Sequence, residues 1–186
     1  MPRRCVLSFL LFVPVFIAGG CVIPKPVDTG AGRGPGPSVG PPRAVADCDA
    51  PGLGWKTGHK TNYESYPAPG SEECVAYNGC TWAGQFAACD GKKPEAWVAS
   101  RDIASMFPDF KTYRLHDVCI RSGTRTMIVT VLDTCADSDC KGCCTQNRGT
   151  ADALIDLEKA TNARWGLPDG DITWADLGPT RTAGCN

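Results

Sequence analysis

Apolar residues along this chain come in short runs rather than in long helical stripes. Met127 to Leu132 reads Met-Ile-Val-Thr-Val-Leu, and Ala153 to Ile155 reads Ala-Leu-Ile. Runs this short, bounded by polar residues, predict buried strands. The first run ends at Asp133 and the second at Asp156, so each aspartate is expected at the mouth of a strand. Gly58 to Tyr63 predicts an opening strand, and Ala96 to Ala99 a short apolar one. Tyr113 to Arg121 alternates roughly, and Gly123 offers a turn into Arg125 to Asp133, which together predict a hairpin. Asp171 to Leu177 closes the series of strands. A helix is predicted from about Leu157 to Trp165, stopped by Gly166 and Pro168. Residues 64 to 95 read as a long loop held by Cys74, Cys80 and Cys89. Strands with one or two short helices and many turn residues predict a mainly β fold, a small barrel.

The N-terminal part has a different composition. A basic start, Met1 to Arg4, precedes an apolar stretch from Cys5 to Ala18 and then Gly19-Gly20-Cys21. This pattern predicts an export signal peptide over residues 1–20. Ala18-Gly19-Gly20-Cys21 is also similar to a bacterial lipobox, which would put a lipid on Cys21. Ordinary cleavage near Gly20 is the alternative. Residues 21–47 are rich in Pro and Gly and poor in large apolar residues, as in a tether without a core of its own. Residues 48–186 suit one domain.

Of the 12 cysteines, Cys5 would leave with the signal and Cys21 would carry lipid. Cys48, Cys74, Cys80, Cys89, Cys119, Cys135, Cys140, Cys143, Cys144 and Cys185 remain, an even set expected to form a disulfide framework in an exported chain. Export favours bridges over metal for the dense Cys135–Cys144 segment, so neither a metal nor a cofactor is expected. The 19 basic and 20 acidic residues give a net charge of −1. With no basic run to track a phosphate backbone, nucleic acid is not an expected partner. An uncharged polymer suits this balance better.

Four segments carry a family resemblance. Gly58-His59-Lys60-Thr61-Asn62-Tyr63 resembles a Gly-x-Ala-Thr-x-Tyr opening strand, and Val129-Thr130-Val131-Leu132-Asp133 a Val-x-Val-x-Asp strand. Leu154-Ile155-Asp156-Leu157 is similar to an Ile/Leu-Asp-Leu-Ser segment, and Gly170-Asp171-Ile172-Thr173-Trp174 to a last strand. In this order they resemble the expansins, the plant barwin-like proteins and the bacterial rare lipoprotein A family. The resemblance implies a six-stranded double-psi β-barrel. It also implies that Asp156 is the functional acid, that Asp133 lies beside it, and that Thr61 lines the same groove. The chain departs from the rare lipoprotein A pattern at Asp133-Thr134-Cys135-Ala136-Asp137, where that family has Asp-Arg-Gly-Pro-Phe. It also has no histidine in Ala99 to Asp102. Glu64 stands one position away from where inverting endoglucanases on this barrel keep a base.

Each candidate has a plainer reading. Asp156 is either an acid with a raised pKa or the cap of the helix that follows. Asp133 is either its partner carboxylate or a turn residue. Asp137 and Asp139 are expected as solvated turn residues, and His59 and His116 as ordinary strand residues. Trp97 and Trp174 are expected in the core and Trp165 in either role. Trp82 is the expected sugar-stacking platform, with Tyr63 and Tyr66 next.

The resulting expectation is an exported, monomeric, expansin-like protein at an outer membrane or cell surface. It would bind and remodel cell-wall polysaccharide, peptidoglycan or a cellulose-like glucan, with little or no hydrolysis. The alternatives are a glycan-cleaving enzyme, either an endoglucanase-like hydrolase or a lytic transglycosylase, and a non-catalytic interaction module. The membrane would be reached only through the lipid anchor.

Overall fold

The computed structural model describes residues 40–186. The expected signal segment, Cys21 and the tether up to residue 39 lie outside the described residues. Six strands close into a barrel: β1 (Lys56–Tyr63), β2 (Ile103–Phe107), β3 (His116–Ser122), β4 (Arg125–Asp133), β5 (Ala153–Glu158) and β6 (Gly170–Pro179). Their order around the ring is β1-β5-β2-β4-β3-β6. The β1–β5 and β2–β4 pairs are parallel and the rest antiparallel. Parallel neighbours need crossing connections, and the ring is the six-stranded double-psi barrel expected of the resemblance. The helices are short: α1 (Glu72–Val75), α2 (Glu95–Ala99), α3 (Phe110–Tyr113), α4 (Asp137–Cys140), α5 (Cys143–Arg148) and α6 (Lys159–Trp165).

The hairpin forms where Gly123 allows it. Ser122 pairs with Arg125 across the turn, and Gly123 has φ 55°. That left-handed backbone is strained for residues with a Cβ. Three local expectations are corrected. Ala96 to Ala99 is helical, because a four-residue apolar run has no periodicity to separate helix from strand. The strand that fills its place is β2, Ile-Ala-Ser-Met-Phe, which ends at Phe107, just before Pro108. The last helix begins at Lys159, and Leu157 belongs to β5. Asp156 therefore lies within a strand and not at its mouth.

Alternate residues of the strands fill the barrel. Ala104, Met106, Val118, Ile120, Val129, Val131, Ile155, Leu157 and Trp174 pack together, with Trp165 of α6. A second cluster, Phe86, Ala88, Val98, Ile103 and Leu132, joins the 64–95 loop to the opposite faces of β2 and β4. Trp174 is core as expected, while Trp97 is only partly buried beside that second cluster. Lys60 is fully buried on β1, and its ammonium meets Asp169 at 2.7 Å and the Asn162 side chain at 2.6 Å. Pairing of this kind is what makes a buried ammonium tolerable. Arg43, near the end of the expected tether, is packed on the barrel and faces the buried Asp117 at 3.3 Å.

Five disulfides use the even cysteine set: Cys48–Cys119, Cys74–Cys80, Cys89–Cys185, Cys135–Cys144 and Cys140–Cys143. Two of them span 71 and 96 residues, the others nine or fewer. In the chain-entropy account, longer loops remove more freedom from the unfolded state. Replacing Cys48 and Cys119 together by Ala should therefore cost about 4 kcal/mol. Replacing Cys74 and Cys80 together should cost about 2 kcal/mol. Urea unfolding of the two double variants checks the order.

Candidate functional site

The strand registers place four polar residues in one row. Thr61 of β1 is level with Asp156 of β5, Asp156 is level with Ser105 of β2, and Ser105 is level with Asp133 of β4. Residues level with each other across a ladder share a face. Ile155 and Leu157, on either side of Asp156, point into the barrel, so Asp156 points out of it.

Asp133 reaches that face through a bulge. Ala104 pairs with Val131, but Ser105 pairs with Asp133, so Leu132 is an extra residue on β4. Strict alternation would have sent Asp133 inward after Val129 and Val131. The extra residue reverses it and lets Leu132 enter the second cluster. Two strand spacings separate the aspartate backbones, roughly 10 Å.

The Thr61 hydroxyl donates to Asp156 Oδ1 at 2.9 Å. Asp133 Oδ1 accepts the backbone N–H of Ala87 at 3.0 Å and of Thr134 at 2.9 Å. Capping of α6 falls to Glu158, whose carboxylate accepts from the Ala160 N–H at 2.7 Å. The cap reading of Asp156 is thereby corrected: its level neighbours are Thr61 and Ser105.

Both acids are hard to ionise. Removal from water raises Asp156 from 3.8 to about 7, with Glu73, Asp169 and Asp133 adding repulsion and Thr61 opposing. Removal from water also raises Asp133, to about 6, against the two N–H groups that stabilise its anion. Both are raised, Asp156 further than Asp133, so Asp156 is the one that holds its proton more strongly. A split of this kind separates an acid from a base within one site. Beside them Tyr63, held well above its ordinary range by burial and by both aspartates, keeps its hydroxyl proton. The Ser105 hydroxyl is buried and finds no hydrogen-bond partner among the described residues, and the buried Tyr63 and Ser65 hydroxyls have at most each other.

The 64–95 loop roofs this region. Besides the Ala87 contact, the Ala88 N–H donates to the Leu132 carbonyl at 2.9 Å, and the Gly84 N–H to the Ser65 carbonyl at 2.8 Å. Val75, Tyr77 and Trp82 on the same loop are exposed, Trp82 at 53%. The Tyr66 hydroxyl is committed to the Lys93 carbonyl. Glu64 pairs with Lys159 at 2.9 Å. His59 and His116 pair with Asp171 and Asp176 at 3.0 and 2.9 Å. Asp137 accepts from Thr145 through backbone and side chain, at 2.9 and 2.6 Å.

Two cavities, of about 950 and 540 Å³, lie elsewhere on the barrel and are lined by neither Asp133 nor Asp156. Ser105 and Glu73 are the neighbours that sequence reasoning missed. A lone serine inside the apolar Ile-Ala-Ser-Met-Phe run was the available signal for the first. Nothing local marked the second.

No protein-family model and no curated protein matches the chain. Among solved structures, the Streptomyces papain inhibitor is 19% identical, with a TM-score of 0.37, over 68% of this chain and 97% of that one. The apo form of an expansin from Clavibacter michiganensis is 13% identical, also with a TM-score of 0.37, over 66% of this chain and half of that one. The fold stands on the strand pairing described above, and these two likenesses add no argument about function.

The raised acids set the pH dependence of stability. The folded chain holds a proton on Asp156 that the unfolded chain releases above about pH 4. Stability should fall as pH rises from about 4 toward 7. Asp156→Asn should flatten that slope, leaving the variant more stable than the parent at pH 8 and similar to it near pH 4. Urea midpoints at both pH values check this.

Proposed function

We propose that this chain is an exported, expansin-like protein. It binds cell-wall polysaccharide along the outer face of the barrel and loosens it with little or no hydrolysis. The observation that carries the reading is the row Thr61–Asp156–Ser105–Asp133 under a loop with exposed aromatic residues. A neutral glycan presents hydroxyl groups at its edges and apolar faces on its rings. Protonated Asp156 can donate to a sugar oxygen, ionised Asp133 can accept from a hydroxyl, and Trp82 offers a ring to stack on. The buried Ser105 hydroxyl without a partner supports a place for a hydroxyl-bearing ligand or for water. Loosening would follow from competition, as sugar–protein bonds replace sugar–sugar bonds.

The raised pKa of Asp156 favours a second reading, glycan cleavage. A general acid must carry its proton when it meets the glycosidic oxygen. A carboxylate pair separated by roughly 6.5–9.5 Å leaves room for the attacking water of an inverting hydrolase. Export itself, the lipid anchor on Cys21 and the monomeric state belong to the same proposal and rest on sequence pattern.

Incubation with peptidoglycan and with cellulose, followed by measurement of pelleted protein and of released reducing ends or muropeptides, separates the readings. The expected outcome is pelleting without release. Trp82→Ala should weaken pelleting roughly tenfold, which corresponds to about 1.4 kcal/mol. Asp156→Asn should weaken it as well. Release that vanishes in Asp156→Asn would establish cleavage instead. No pelleting on either polymer would leave only an interaction module.

A further inference from the structure

The larger cavity, of about 950 Å³, lies over β1 and β6, between the β3–β4 turn and the end of α5. Its lining is polar: Thr57 and His59 of β1, Thr173 of β6, and Gln146, Asn147 and Arg148 of α5. Hydroxyl, amide, imidazole and guanidinium groups together donate and accept hydrogen bonds. The volume falls within the range of sites that hold small ligands.

Register ties this cavity to the aspartate row. A Cβ on Gly58 would meet Trp174 and Ile172, and Lys60 is fully buried, so these two residues of β1 point inward. Alternation then puts Thr57, His59 and Thr61 together on the outer face. Thr57 is level with Thr173 and His59 with Asp171 on β6, while Thr61 is level with Asp156 on β5. Two residues of strand, about 7 Å, separate the His59 level from the Thr61 level. The row and the cavity are therefore successive levels of one surface. The chain between β4 and β5 borders both, leaving the row at Asp133 and lining the cavity with residues of α5. The Cys135–Cys144 and Cys140–Cys143 bridges lie within that segment and restrict it.

Arg148 shows what the cavity lacks. Its Nη1 donates to the Ala151 carbonyl at 3.1 Å, and its Nε is buried without a partner among the described residues. The other cationic side chains of the lining are matched, Arg121 with Asp49 at 2.7 Å and His59 with Asp171 at 3.0 Å. A donor left unmatched away from water costs about 1–3 kcal/mol. An oxygen brought to the guanidinium by a ligand would recover part of that. The surrounding charges decide which oxygen fits. Asp171 lines the cavity, Asp152 accepts from the Thr57 N–H and hydroxyl, and Asp49 holds Arg121. These carboxylates repel an anion, so an uncharged hydroxyl or ether oxygen is the better match.

Building on the glycan-binding reading above, we propose that this cavity is a second sugar subsite, which holds an uncharged unit of the same polymer chain that lies on the aspartate row. Arg148 donates to a sugar oxygen, and Gln146, Asn147, Thr57 and Thr173 bond the hydroxyls around it. The barrel thus recognises a length of polymer rather than a single sugar.

The test titrates the full chain with cellobiose and cellohexaose, and with short and long glycan fragments of peptidoglycan, by calorimetry. For the polymer that pellets the protein, the long fragment should bind roughly tenfold more tightly than the short one, the effect of two or so added hydrogen bonds. Arg148→Ala should remove that advantage and leave binding of the short fragment unchanged. Gln146→Ala with Asn147→Ala, at two exposed positions, should reduce it in the same way and guards against a folding defect in the arginine variant. Equal affinity for short and long fragments, or a length advantage that survives in both variants, would overturn the subsite and leave the function proposed above intact. Tighter binding of trigalacturonate than of cellohexaose would overturn the uncharged ligand. Absence of binding to every fragment and of pelleting on either polymer would remove the subsite together with the function it extends.

Discussion

Leu132 is one residue more than β2 can match on β4, and the outward face of the barrel takes its character from that surplus. In an unbroken ladder Asp133 would follow Val129 and Val131 into an interior made of Met106, Ile155 and Trp174. A carboxylate there would lose its hydration and gain no partner, a cost of several kcal/mol. The bulge removes that conflict and also frees Leu132 to join Phe86, Val98 and Ile103. One irregular pairing thus satisfies an apolar and an acidic residue that stand side by side in the chain.

Fold and electrostatics meet at the 64–95 loop. Its apolar residues Phe86 and Ala88 complete the second cluster, and its backbone reaches Asp133 and Leu132. Burial is the leading cause of both raised pKa values in the row. The same loop brings Glu73 close enough to repel charge on Asp156. The loop that carries the exposed aromatic residues therefore also acts on both carboxylates, its Ala87 N–H favouring the Asp133 anion and its Glu73 disfavouring that of Asp156.

Much of this was legible in the sequence. Two apolar runs ending in Asp133 and Asp156 marked the carboxylates, and the opening Gly58–Tyr63 segment marked Thr61. The hairpin was visible because Gly123 stands between two strand-like runs. Trp82 was marked by a glycine-flanked loop, and it is exposed. Other features were not legible, for definite reasons. The bulge is a property of two paired strands, and no single stretch of chain encodes it. β2 has no clear signature, because five residues before a proline give a weak period, and Ser105 is hidden with it. Glu158 rather than Asp156 caps α6 because β5 runs two residues further than its composition suggested. The even cysteine count foretold a disulfide framework but not its connectivity, since pairing depends on which strands become neighbours.

The long-range bridges also govern the denatured ensemble. With Cys48 tied to Cys119 and Cys89 to Cys185, an oxidised chain that has lost its barrel still cannot expand into a free coil. Less surface then meets solvent on melting, so the heat-capacity increment and the steepness of ΔG against denaturant both shrink. Opening those two links would restore both quantities toward the values of an uncrosslinked chain of the same size, whatever happens to the native state.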